Sequence, residues 1–163
     1  MKRYIAYFKY LFRHKWFVFI ACRKFKLGII QSIFHDWSKF IPFLWKVYAH
    51  QFFNADGTRR NVRNPDGSYD PNAQSTEFQL SWMIHQREKH HWQAWISIGD
   101  NGALSTQLIP LKYILEMIAD WEGAGKAIAG VSDPTDWYMS NKLKMVIRQE
   151  TRDYIESLLR IWY

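Results

Sequence analysis

His35 and Asp36 stand side by side in the run His35-Asp36-Trp37-Ser38-Lys39. A histidine followed directly by an aspartate offers one neutral nitrogen and one hard oxygen from neighbouring positions. Divalent ions that accept mixed ligands, such as Mn, Fe, Co, Ni or Zn, suit that pair, in one or two copies. Further ligands of the same types lie elsewhere in the chain: His14, His85, His90, His91 and Asp120. Such an ion brings the pKa of a bound water toward neutrality, and a second one about 3.5–4 Å away would hold the leaving oxygens of a phosphoryl transfer. Lys39 and the arginines Arg59, Arg60 and Arg63 could neutralise phosphate charge. Glu116 or Glu88 could accept a proton or orient a ligand.

Each of these residues also has a plainer role open to it. His14 shares a helical face with Tyr7, Tyr10, Phe17, Val18 and Ala21 by its spacing, so it points inward, as a ligand or as a buried histidine satisfied by one hydrogen bond. On a helix, His35 and Asp36 stand about 100° apart and can reach one cleft. Lys39 falls on the same side, where it holds a substrate phosphate, steadies Asp36 or forms a simple i,i+3 pair. His85 and His91 stand about 120° apart on one helix with Glu88 between them. The competing reading is a polar, half-exposed helix. Glu116 and Asp120 share a face beside Leu111, Ile114, Leu115 and Ile118. Two acids so close in an apolar setting resist ionisation unless a cation is near; otherwise they form an exposed ridge. His50 is peripheral.

The elements that must position these groups are mostly helical. Residues 2–27 read as a helix ending at Gly28. Residues 30–53 read as a second helix, kinked or restarted near Pro42. Turn signals at 54–57, 64–67 and 70–71 mark a long loop over 54–75 that carries the three arginines. Ser75 or Thr76 caps a third helix to about Trp95. Gly99-Asp100-Asn101-Gly102, between short apolar runs, predicts a small β-hairpin. Pro110 opens a fourth helix to about Glu122, and Gly123, Gly125 and Gly130 loosen the stretch after it. Asp133 and Pro134 start a last helix, which is open to a break near residue 148. The expected architecture is all-α: five to six bundled helices, one long loop and a small hairpin, in a single domain over residues 1–163.

Composition narrows the function classes. The chain has 163 residues and a single cysteine, Cys22, so neither an internal disulfide nor a Cys-based zinc site is available. Nine Trp, nine Tyr and eleven Phe imply a core built on large flat side chains. A net charge of +7 favours anionic partners or serves solubility. The uncharged run at 16–22 is far below the roughly twenty residues of a membrane span. The expectation is a soluble protein of the cytoplasm, the host's if phage-encoded, with an amphipathic membrane-surface helix over 2–27 as a third-ranked reading. There is no P-loop, no GxGxxG, and no helix-turn-helix or zinc-finger motif for nucleic acid.

The order His14, then His35-Asp36, then Asp120 resembles the H…HD…D pattern of the HD-domain superfamily of metal-dependent phosphohydrolases. The run 35–39 looks like its HDxGK variant with Ser38 in place of glycine. That resemblance implies a helical HD-like domain in which His14, His35, Asp36 and Asp120 hold a first ion and Lys39 faces the phosphate. His85 with His91 or His90 would serve a second ion. Two departures stand out. His85 is much closer to His90 than the corresponding pair in two-metal enzymes, and no Gly-Tyr-Pro follows His91. The segments 35–40, 85–92 and 116–121 also resemble a family of small phage and bacterial proteins, DUF5662. The leading expectation is hydrolysis of a nucleotide or other small phosphate ester. The alternative is a non-enzymatic binding protein with structural histidines or a structural metal.

Overall fold

The computed structural model describes residues 1–64 and 69–163. Among them are seven α-helices and one two-stranded antiparallel sheet, so the fold is all-α with a small hairpin. The helices are α1 (Lys2–Lys24), α2 (Ile29–Phe34), α3 (Pro42–Phe52), α4 (Thr76–His85), α5 (Leu111–Ala129), α6 (Pro134–Asn141) and α7 (Gln149–Trp162). The strands are β1 (Ile96–Ile98) and β2 (Leu104–Thr106), in register Ile96↔Thr106 to Ile98↔Leu104. Among the described residues no helix is long and apolar enough to cross a membrane.

The chain divides into two compact units. Unit 1 comprises Met1–Arg13 and Asp36–His85; unit 2 comprises His14–His35 and Gln86–Tyr163. Unit 1 is built on rings. Tyr7, Leu11, Leu44, Tyr48, Phe52 and Phe78 form its core, and Phe52 meets Phe78 edge-on at 5.6 Å, the geometry the ring quadrupoles prefer. Unit 2 packs Val18, Ala21, Cys22, Ile114, Met117, Ile118 and Ile155 around α5. Of the nine tryptophans only Trp121 is in the buried core of the described residues. The large flat side chains expected in the core are mainly Tyr and Phe beside aliphatics, because an indole is large and is rarely enclosed fully.

α1 ends earlier than the glycine signal suggests. Lys26, at φ 57°, takes the left-handed position. Its N–H bonds to the Arg23 carbonyl at 3.1 Å, and that of Leu27 bonds to the Cys22 carbonyl at 3.0 Å. This is a Schellman ending with lysine where glycine is usual, and Gly28 becomes the cap of α2. The outer side of α1 is also apolar: Phe8, Phe12 and Trp16 are exposed.

The expected second helix is two helices. α2 stops at Phe34, Asp36 turns left-handed at φ 57°, and a 3-10 turn over Trp37–Phe40 leads to α3 with Pro42 in its first turn. Proline keeps Ile41 extended and forbids a continuous helix. The expected third helix stops at His85, ten residues short, because Gln86-Arg87-Glu88-Lys89 has no apolar residue to bury and a short helix depends on packing. Ser75 caps α4, its Oγ accepting from the Phe78 N–H at 3.1 Å.

α5 outruns its expected end. Gly123 and Gly125 lie inside it, and Gly130, at φ 80°, closes it. The two inner glycines permit close approach rather than loosening the chain. A Cβ on Gly123 would stand 2.4 Å from Val18 Cγ2 and 2.7 Å from Val18 N. Asp133 caps α6, accepting from the Thr135 N–H at 2.7 Å, and the break before α7 lies where the sequence allowed it. The hairpin forms as expected, with Gly102 at φ 78° in its turn. In the 54–75 loop, the Gly57 N–H closes the first turn onto the Asn54 carbonyl at 3.0 Å, and Asp70 caps a 3-10 turn at Pro71–Ala73. The turn expected at 64–67 falls outside the described residues beyond Asn64.

Candidate metal centre

Unit 2 assembles its nitrogens and oxygens from α1, α2, α5 and the segment before the hairpin. His14 is on the inner stripe of α1 with Tyr7, Leu11, Val18 and Ala21, all buried; Tyr10 and Phe17, expected on that face, are half-buried at its edges. Asp120 and Glu116 are one turn apart on α5. His35 follows the last residue of α2. Lys15 fixes that end by donating from Nζ to the carbonyls of Ile33, at 2.9 Å, and His35, as suits a cation at a helix C-terminus.

Two imidazoles converge on one carboxylate atom. His14 Nε2 and His35 Nε2 each lie 3.3 Å from Asp120 Oδ1. The other ring nitrogen of His35, Nδ1, lies 3.1 Å from Glu116 Oε1, and Gln31 Nε2 donates to Glu116 Oε2 at 2.6 Å. His14 and His35 are each 2 % exposed, Glu116 4 %, and the Asp120 side chain 17 %. Ligand atoms bonded to one ion at about 2.0–2.2 Å lie roughly 2.8–3.6 Å from one another. The 3.3 Å separations fall in that range, which N–H···O contacts between histidine and carboxylate also share.

The donor count points the same way. A neutral imidazole has one N–H and one lone pair, and a carboxylate only accepts. With the His35 proton on Nδ1, serving Glu116, the Nε2 lone pair faces an Asp120 oxygen. A cation between them, like a second proton on the ring, turns that repulsion into attraction. The residues fit a divalent ion, with Glu116 orienting the ring rather than contacting the ion, as a carboxylate behind a ligating histidine does.

His90 extends the set. Its Nδ1 lies 3.7 Å from Glu116 Oε1 and 3.8 Å from Glu88 Oε2, and its ring centroid is 4.2 Å from those of both His35 and His91. His35, His90 and Glu116 offer ligand atoms within 4.8 Å of one another, as do His14, His35 and Asp120. His90 and His91 do not continue the helix of His85, so the expected 120° relation does not exist. Sequence reasoning passes over Gln31 and Lys15, which hold Glu116 and the end of α2. Their signal is position: Gln31 is one turn before His35.

Unit 1 holds a second constellation. Asp36 is fully buried. Its Oδ2 accepts from Lys39 Nζ at 2.6 Å, and its Oδ1 lies 3.2 Å from His85 Nε2. His85 Nδ1 lies 3.0 Å from Ser38 Oγ. The i,i+3 relation of Asp36 and Lys39 is an ion pair, set by the left-handed turn and the 3-10 turn, not by a helix through 35 and 36.

The loop arginines part ways. Arg59 lies over the Tyr10 ring at 5.1 Å, and Arg63 over Tyr69 at 4.1 Å. Arg60 lines a groove of about 800 Å³ that also contains His50.

No curated protein and no solved structure matches the chain. The model of a family of unknown function, DUF5662, matches residues 3–161, almost the whole length, and the chain belongs to that family.

Proposed function

We propose that the chain is a metal-dependent phosphohydrolase acting on a nucleotide or another small phosphate ester. The observation that carries the reading is the convergence of two imidazole nitrogens on one Asp120 oxygen, with His35 held from behind by Glu116. His14, His35 and Asp120 are the proposed ligands of a first ion. His90 and His91 are proposed ligands of a second ion in unit 2, and Asp36 and His85 are proposed ligands within unit 1. When bound, a divalent ion supplies an acidified water and neutralises phosphoryl oxygens. Glu116 keeps the His35 ring in one tautomer. Asp120 is the least buried ligand and marks the side open to substrate. Lys39 pairs with Asp36 in a buried place and is the proposed positive charge for the phosphate. Glu88, beside His90, is the proposed proton acceptor. The H…HD…D order of the sequence supports the same assignment.

The near-complete burial of His14, His35 and Glu116 also suits a structural ion, which would have a closed protein shell where a catalytic ion keeps an open position. The test separates the two. Protein stripped with chelator and reloaded with Mn, Co, Ni or Zn is assayed for ion content and for phosphate release from a nucleotide panel. The expected result is bound ion and release that both fall at least tenfold in His35→Ala and Asp120→Ala. Stoichiometric ion without release from any substrate identifies a structural ion. Absence of bound ion refutes both.

A further inference from the structure

The groove of unit 1 sets three cations against one acid. Arg3, Lys46 and Arg60 line it, and Glu77 is the single carboxylate in the lining. Among the described residues none of the three cations has an ion-pair partner. Unneutralised charges gathered in a concavity raise the local potential and draw anions to it.

Two of the three are fixed in place. Arg3 Nη1 lies 2.6 Å from His50 Nδ1, and Tyr4 Oη lies 3.0 Å from His50 Nε2. A guanidinium only donates, so His50 Nδ1 accepts and the ring proton is on Nε2, directed at Tyr4. His50 is thereby a neutral strut. Its partial burial, then the charges of Arg3 and Lys46, hold it below the usual histidine range. Arg60 Nη1 donates to the His50 carbonyl at 2.8 Å. Each guanidinium spends one nitrogen on this frame and keeps other N–H groups for a ligand. Phe43 and Phe53 add apolar wall, against which a flat ring can lie. About 800 Å³ is ample for a nucleotide.

We infer that this groove binds a nucleoside phosphate, its phosphates on Arg3, Lys46 and Arg60 and its base against the phenylalanines. The groove is separate from the proposed ion ligands of its own unit, since neither Asp36 nor His85 lines it, and the inference does not rest on hydrolysis.

The test is calorimetric titration of the intact chain in chelator at low salt with AMP, ATP, ribose 5-phosphate and inorganic phosphate. AMP and ATP are expected to bind, ATP more tightly, and at least tenfold more tightly than inorganic phosphate. Lys46→Gln and Arg3→Gln, with folding checked by circular dichroism, are expected to weaken ATP at least fivefold each. Ribose 5-phosphate binding as tightly as AMP removes the base from the assignment and overturns the nucleoside part. Inorganic phosphate matching ATP, no binding of any probe at millimolar concentration, or undiminished ATP binding by folded Lys46→Gln overturns the whole.

Discussion

Replacing Gly123 by alanine tests how the candidate centre is spaced. The new Cβ would lie 2.4 Å from Val18 Cγ2, 2.7 Å from Val18 N and 2.9 Å from Val18 Cα. Two of these three neighbours are backbone and cannot rotate away. Ordinary contact begins near 3.4 Å, so α1 and α5 must part by about 0.7 Å at this point. His14 is one turn before Val18, and Asp120 one turn before Gly123. The same parting therefore opens the 3.3 Å His14–Asp120 contact to about 4 Å, beyond the edge of a shared coordination shell. Overpacking of this kind costs about 1–3 kcal/mol, partly offset by the roughly 1 kcal/mol that alanine gains over glycine in a helix. The expected net loss is ~0–2 kcal/mol, toward the upper end because two of the clashes are with backbone, a Tm lower by up to roughly 8 °C in a chain of this size. Ion affinity is expected to fall at least tenfold. Adding Val18→Ala removes only the Cγ2 contact and does not restore either quantity. Melting followed by circular dichroism and ion binding by calorimetry read the two effects. A Gly123→Ala protein with unchanged Tm and unchanged ion content would refute the reasoning.

Glu116→Gln keeps the size of the side chain but weakens the hold on His35; ion affinity is expected to drop about 10–100-fold, measured by competition with a chelating dye. Burial pushes the Cys22 thiol up to about 12, so it should resist thiol reagents at pH 8 until the chain unfolds. The same burial ties stability to pH. Above about pH 9 the unfolded thiol ionises and the folded one does not. The folded state then holds more protons, and stability falls as pH rises toward 12. Burial also raises Tyr7 and Tyr48, which adds to that fall above pH 10, and melts between pH 8 and 11 check the trend. Lys26→Gly should stabilise the fold by about 0.5–1 kcal/mol, since an exposed lysine now occupies a left-handed position that glycine adopts without strain; urea titration measures it.

The sequence was most legible where local chemistry decides structure. Ser75 and Asp133 cap helices because their side chains reach N–H groups two or three residues on, and Gly99–Gly102 turns a hairpin because glycine accepts positive φ. The ligand types were legible too: the histidines and carboxylates singled out by residue type and order include those that meet in unit 2. What escaped depends on partners distant in sequence. Asp36 and Lys26 turn left-handed without being glycine, so no composition signal marks either break. Gly123 looks like a helix breaker until Val18 is known to press on it. For Glu116 the sequence left proton acceptor and ligand-orienting group both open; its contacts with Gln31 and His35, about eighty residues earlier, depend on packing that spacing does not show.

The division of the chain has a consequence for synthesis. All residues of unit 1 lie at or before His85, so Asp36, Lys39 and His85 are all synthesised before the later part of unit 2. In unit 2, His35 leaves the exit tunnel 81 residues ahead of Glu116, roughly 4–16 s at ordinary elongation rates. Throughout that interval His14 and His35 lack Glu116 and Asp120. Capture of an ion by the full set waits for α5, and a nascent chain arrested before it should bind an ion more weakly than the complete one.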